Sequence, residues 1–294
     1  MTTFTTRPEL TGSFGMVSST HYLASAVGMA VLEAGGNAID AAVAAGFTLQ
    51  VVEPHLNGPG GDMSLLLALP GEGPTVLCGQ GTAPAGATVA AFEALGLDEI
   101  PGSGPLAAAI PGSTVAWLTL LRDHGTFPLE GVLGYAVHYA ERGFPVLPSI
   151  AATVGRVERL FNEEWTTSRD HYLSGGSAPA AGGVLANPTL GDTYRRLLAE
   201  AAGLPRERGI DQALAAWREG FVAEAISDFV RTPWMDTSGE RHAGLLTGAD
   251  MAWEATYERP MSVDFHGLRV AKIGPWGQGP VLLQQLRLLD GASL

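Results

Sequence analysis

The chain has 294 residues, 46% of them hydrophobic, enough apolar material for one large domain or two small ones. Acidic residues outnumber basic ones 30 to 17, and the net charge of −13 argues against nucleic acid and anionic membrane surfaces, both of which attract basic patches. The single Cys78 excludes an internal disulfide framework and suits a reducing compartment. Residues 1–14 lack a signal-peptide pattern and no apolar run reaches membrane-spanning length, so a cytoplasmic protein is expected.

Residues 1–14 are polar and Thr-rich and read as an N-terminal arm; residues 15–294 read as a single region. Residues 15–69 carry almost no charge. Ser18, Ser19 and Thr20 are candidate N-caps for a helix in which Leu23, Val27, Ala30, Val31 and Ala34 recur at helical spacing. Gly35-Gly36 stops it. Asn37 or Asp40 caps a second helix, which runs to about Val52 and is small and apolar on nearly every side, the pattern of a buried helix. Pro54 ends it. Pro59-Gly60-Gly61 reads as a turn with special backbone angles, and residues 63–69 as a strand buried on both faces.

The Gly/Pro cluster at 70–74 joins that strand to residues 75–78 as a hairpin, and residues 79–84 leave it as a loop. A weak helix follows over 87–95. Firmer helices are expected over 113–124, from Gly125 onward with Val132, Leu133, Ala136, Val137 and Ala140 on one face, and after Pro148 to about Phe161. Residues 174–188 are rich in Gly, Ala and Pro and read as a mobile loop. Helices resume over 189–202 and 211–231. Thr247 is placed to cap a helix with Asp250 in its first turn. A hairpin turning at His266-Gly267 and a helix over 281–289 complete the chain.

The motifs GMVSSTHYLAS from Gly15, GGNAIDAAVAA from Gly35, VVEPH from Val51 and NGPGGD from Asn57, in that order, resemble the γ-glutamyltransferase family of N-terminal-nucleophile (Ntn) hydrolases. Ala107–Ser113, the run from Gly125 to Val146, Trp217–Ala223 and Gly244–Asp250 resemble further family segments. The resemblance covers the large-subunit portion only. It implies a mixed α/β (α+β) fold, the helix-rich N-terminal part of a four-layer αββα sandwich that this chain leaves incomplete. It also implies autocatalytic processing of a proenzyme, with a threonine freed as the N-terminus of a small subunit. That threonine attacks a γ-glutamyl amide such as glutathione, in hydrolysis or acyl transfer. No threonine here has the nucleophile's setting, so no catalytic residue is assigned and the chain alone is expected to be inactive. A C-terminal small subunit is the expected partner, with no cofactor and no metal.

The resemblance places a substrate-binding arginine, suited to an α-carboxylate, in the stretch where this chain reads Gln80-Gly81-Thr82-Ala83-Pro84. One register puts Gln80 in that slot and the other puts Thr82 there, and neither supplies the charge. A related amidase or acylase with a different acyl substrate is therefore an alternative, and a non-catalytic scaffold of the same fold is another. His21 and His55 read as structural, and His171, His242 and His266 lack metal-ligand spacing. No P-loop, H-E-x-x-H or G-x-S-x-G motif occurs.

Overall fold

The computed structural model describes residues 9–173 and 175–290. Residues 1–8 of the expected arm lie outside them, and residues 9–14 form no helix or strand. Helix α1 (Tyr22–Glu33) starts one residue later than the hydroxyl run suggests. The Ser19 hydroxyl donates to His21 O and the Thr20 hydroxyl to Glu53 Oε2, so both are engaged elsewhere. His21 caps the helix instead, its Nδ1 accepting the Leu23 N–H at 3.1 Å. The Gly35-Gly36 stop is as expected, with Gly35 at φ 94°.

Helix α2 (Ala38–Val52) opens with a capping box: the Asn37 side chain accepts from Ile39 and Asp40 N–H, and Asp40 accepts from Asn37 N–H. Asp40 also accepts from Thr126 N–H at 2.8 Å, the Thr126 hydroxyl at 2.6 Å and Phe127 N–H at 3.0 Å. Burial alone would push this carboxyl up, but these hydrogen bonds outweigh it and hold its pKa below the usual range. One cap side chain thus fixes the start of α2 and the corner some 86 residues away.

Strands β1 (Met63–Leu67) and β2 (Thr75–Gly79) pair antiparallel, Met63 opposite Gly79. β1 is buried on one face only, since Ser64 and Leu66 are exposed, which corrects the two-faced reading. A short helix, α3 (Val89–Ala94), follows. Helices α4 (Ser113–His124) and α5 (Leu129–Arg142) stand as the periodicity predicts, and α5 buries all five expected residues. β3 (Phe144–Pro145), α6 (Pro148–Glu163) and α7 (Thr166–Tyr172) come next.

The stretch read as a mobile loop is tied to its surroundings. β4 (Val184–Leu185) pairs with β3, Val146 N–H donates to Gly183 O, and the Asn162 amide donates to Gly176 O. Its bonds are made to the α5–α6 connection and to α6, partners that composition does not reveal.

Helix α8 (Pro188–Ala201) is as expected, but residues 211–231 form two helices, α9 (Arg206–Arg218) and α10 (Phe221–Phe229). The break falls at Gly220, the residue with the weakest helix propensity there, whose backbone (φ −106°, ψ −144°) is not helical. β5 (Trp234–Met235) pairs with β6 (Arg241–His242). β7 (Thr256–Glu258) joins β2 to make a three-stranded sheet, β1-β2-β7. β8 (Met261–Phe265) and β9 (Leu268–Lys272) form the expected hairpin, and α11 (Gly279–Leu289) packs on it. The turn has φ 48° at His266 and φ 79° at Gly267, the left-handed pair that a tight two-residue hairpin needs.

The core lies between helices. α2 packs on α1, α4 and α5, and α8 and α9 extend that layer. Phe47, Leu118, Leu133, Tyr194 and Ile210 are wholly buried in it. The fold is therefore mixed α/β and helix-rich, with small antiparallel sheets.

Candidate functional site

Three segments far apart in sequence meet at the end of the β1–β2 hairpin: the turn at 57–62, the loop at 80–85 and the entry to α4 at 110–114. Gly61 O accepts from Gly112 N–H at 3.1 Å and from Ser113 N–H at 2.9 Å. Ile110 N–H donates to Thr82 O at 3.0 Å. The packing is backbone on backbone. A Cβ on Gly81 would overlap Ile110 O, and one on Gly112 would overlap Gly79 O. Glycine is required at both positions because of this close approach, although neither has a positive φ. Gly58, Gly60 and Gly61 have no positive φ either, which corrects the expectation of special backbone angles there. Gly61 acts through its carbonyl.

The core supports the turn through a buried polar chain. The Tyr194 hydroxyl donates to Gln50 Oε1 at 2.6 Å, and Gln50 Nε2 donates to Ser113 Oγ at 3.2 Å. Ser113 Oγ lies 3.3 Å from Gly58 O, and the Thr114 hydroxyl donates to Pro59 O at 3.1 Å. Tyr194, Gln50, Ser113 and Thr114 are all buried, and burial drives the Tyr194 pKa far up, so it stays a neutral donor. Sequence reading missed this chain. Gln50 inside an apolar helix was the available signal, because a buried amide needs partners.

Gln80 and Thr82 lie on the loop leaving β2, Gln80 half-buried and Thr82 exposed. They share one loop, but the Thr82 carbonyl is taken by Ile110. Neighbouring Cys78 is buried, and burial raises its thiol pKa, so it is not a poised nucleophile.

A second polar cluster lies at the α1–α2 junction. Glu53 is buried, receives the Thr20 hydroxyl and faces His21. Burial lowers the His21 pKa first; Glu53 partly opposes this, and His55 adds to it. His21 Nε2 and His55 Nδ1 have no hydrogen-bond partner among the described residues. Among the described residues no group of His, Cys, Asp and Glu is arranged to hold a metal ion, and no helix is long and apolar enough to cross a membrane.

Thr247 does not cap a helix. A single helical turn follows at Asp250–Ala252, and Asp250 itself accepts from Thr247 N–H and the Thr247 hydroxyl, at 2.8 and 2.7 Å.

A helix-rich α/β layer carrying a glycine-locked loop beside a buried polar chain is the class that these residues define. Comparison with known proteins gives the family. The Gamma-glutamyltranspeptidase model matches residues 24–294, and the chain belongs to that family. It is 31% identical over 295 residues to the glutathione hydrolase proenzyme of Bacillus subtilis (strain 168), covering 96% of this chain and 46% of that protein. It is 43% identical over 299 residues to the acylase ACY 1 proenzyme of Pseudomonas sp. (strain V22), covering 97% and 49%. The solved structure of LmbA2991HD superposes with a TM-score of 0.95 at 61% identity, covering 98% of this chain and 50% of that one. The chain thus spans about half the length of the curated relatives it matches.

Proposed function

We propose that this chain is the large-subunit portion of a self-processing amide hydrolase or acyltransferase, completed by a C-terminal small subunit that supplies the threonine nucleophile. Its relatives include proteins named glutathione hydrolase and acylase, both proenzymes. A scaffold role has no observation in its favour. A single, buried Cys78 without a disulfide partner in this chain is in keeping with the cytoplasmic setting we infer.

Within that class we infer an acyl preference away from the γ-glutamyl group, with Gln80 and Thr82 as substrate-binding residues. One observation carries this reading. The Gly81 backbone packs directly on the Ile110 carbonyl, so the loop is held against the entry to α4, and the side chain it presents at Gln80 is a neutral amide. A bidentate guanidinium matches a carboxylate in charge and shape, and a glutamine amide matches only the hydrogen bonding. The preferred substrate is then a small amide whose acyl part lacks a free α-carboxylate at that point.

The test uses the full-length protein. Intact mass should show two chains, the smaller beginning with threonine, and a single unprocessed species would contradict self-processing. Release of aniline from a γ-glutamyl anilide should be slower than from a neutral acyl anilide. Fast γ-glutamyl release would overturn the acyl assignment while leaving the enzyme class intact.

A further inference from the structure

The loop carrying Gln80 and Thr82 is held at two points, and only one of them belongs to the β1–β2–α4 crossing. The inner point is Ile110 N–H on Thr82 O. The outer point is Asp250, whose Oδ1 accepts Ala85 N–H at 2.9 Å across 165 residues of sequence. The other oxygen, Oδ2, takes Thr247 N–H and the Thr247 hydroxyl. Both carboxylate oxygens are therefore committed, and a charged acceptor makes each of these bonds stronger than a neutral one.

Asp250 is fixed to the helical core. Its neighbour Met251 is buried, and the Arg218 guanidinium at the end of α9 donates to Ala252 O at 2.6 Å. Gly86 also faces Leu245, so the 244–250 segment lies along the loop for more than one residue. The line of support runs from α9 through the turn at 250–252 to Ala85, and back along the loop to Gln80. A hydrogen bond of this kind, made to the loop backbone rather than to substrate, fixes the position of a binding group within about 0.5 Å.

We propose that Asp250 is a positioning residue for the substrate-recognition loop, setting where Gln80 and Thr82 stand by holding Ala85. This rests on the function proposed above, and its test is built to fail separately from it. The full-length protein and its Asp250→Asn variant are compared by amide hydrogen exchange over residues 80–88 and by steady-state kinetics on the best amide substrate. Asparagine has one acceptor oxygen where aspartate has two; kept on the side that takes both Thr247 donors, it leaves the amide NH2 facing Ala85 N–H, donor against donor, and that bond is lost. The Ala85 amide should exchange at least tenfold faster, and KM should rise about tenfold, the size of losing one hydrogen bond to a charged acceptor, with kcat within twofold.

Asp236→Asn is the control. Asp236 is a hydrogen-bonded carboxylate too, paired with His242 at 2.8 Å and buried where Asp250 is half-buried, but its partners lie outside the loop. That variant should lower the melting temperature and leave KM unchanged. If Asp250→Asn does not fold, Thr247→Val removes a single hydroxyl bond and should raise KM two- to threefold. Unchanged Ala85 exchange, or faster exchange with unchanged KM, overturns the proposal. If the wild type hydrolyses no amide, the proposed function fails, and Ala85 exchange still decides whether Asp250 clamps the loop.

Discussion

Helix α2 buries 12 of its 15 residues, whereas α11 buries two of its 11. α2 is apolar nearly all round, whereas α11 carries Gln284, Gln285 and Arg287, and the two also differ in how many elements surround them. α2 is enclosed by α1, α4 and α5, while α11 has chiefly the β8–β9 hairpin against one side. Leu268, Val281, Leu288 and Leu289 stay exposed there, and β8 and β9 contain no fully buried residue. Large apolar side chains left exposed on neighbouring elements are the kind of surface that another body covers. The helical layer thus has an enclosed core, and the β8–β9–α11 region leaves much of its apolar surface exposed. The proposed small subunit would complete it.

That contrast can be broken by mutation. Phe47→Ala in α2 removes a wholly buried ring and should cost about 3–5 kcal/mol, read as a loss of midpoint in urea unfolding. Asp40→Ala strands the Thr126, Phe127 and Asn37 donors at the start of the same helix and should cost about 3 kcal/mol. Tyr194→Phe leaves the buried Gln50 carbonyl unpaired, for about 1–2 kcal/mol. Leu288→Ala, in the open region, should move the stability of this chain by less than about 0.5 kcal/mol. In the processed full-length protein the same change should cost more, and an equal effect in both would remove the argument for a covering body.

Acid sharpens the comparison further. Asp40 is depressed in the folded state, so its stabilisation is full above the ordinary carboxylate pKa and is lost as pH falls through the lower folded value. His21 is also lowered, which favours its neutral form, so its contribution declines once pH drops below the ordinary histidine value. Both groups belong to the α1–α2 layer. Stability measured by urea should therefore fall from about pH 6 downward, in two stages. Asp40→Ala should reduce the lower stage, to which Asp236 and Asp250, also held low, contribute as well, and should leave the upper stage in place.

The helical layer was legible in the sequence because its signals are local. Asn37 with Asp40, the Gly35-Gly36 stop and the spacing of Val132 to Ala140 each lie within a few turns of the element they define. The family resemblance rested on the same dense segment. What was misread depends on distant partners. Ser19 and Thr20 look like caps until His21 and Glu53 take their hydroxyls. Thr247 looks like a cap until Asp250 turns out to face Ala85. The 174–188 segment looks free because its anchors lie on β3 and α6. Gln80 and Thr82 could be picked from the motif, but the locking of their loop by Gly81 and Asp250 required the third dimension.

The measurement that bears most directly on the central claim is the Gln80→Arg exchange in the full-length protein. The readout is the ratio of kcat/KM for a γ-glutamyl anilide to that for a neutral acyl anilide. The ratio should rise at least tenfold, because the guanidinium supplies the missing partner for the α-carboxylate on a loop already held in place. A wild-type enzyme that already prefers the γ-glutamyl substrate, with a ratio unmoved by arginine, would contradict the claim.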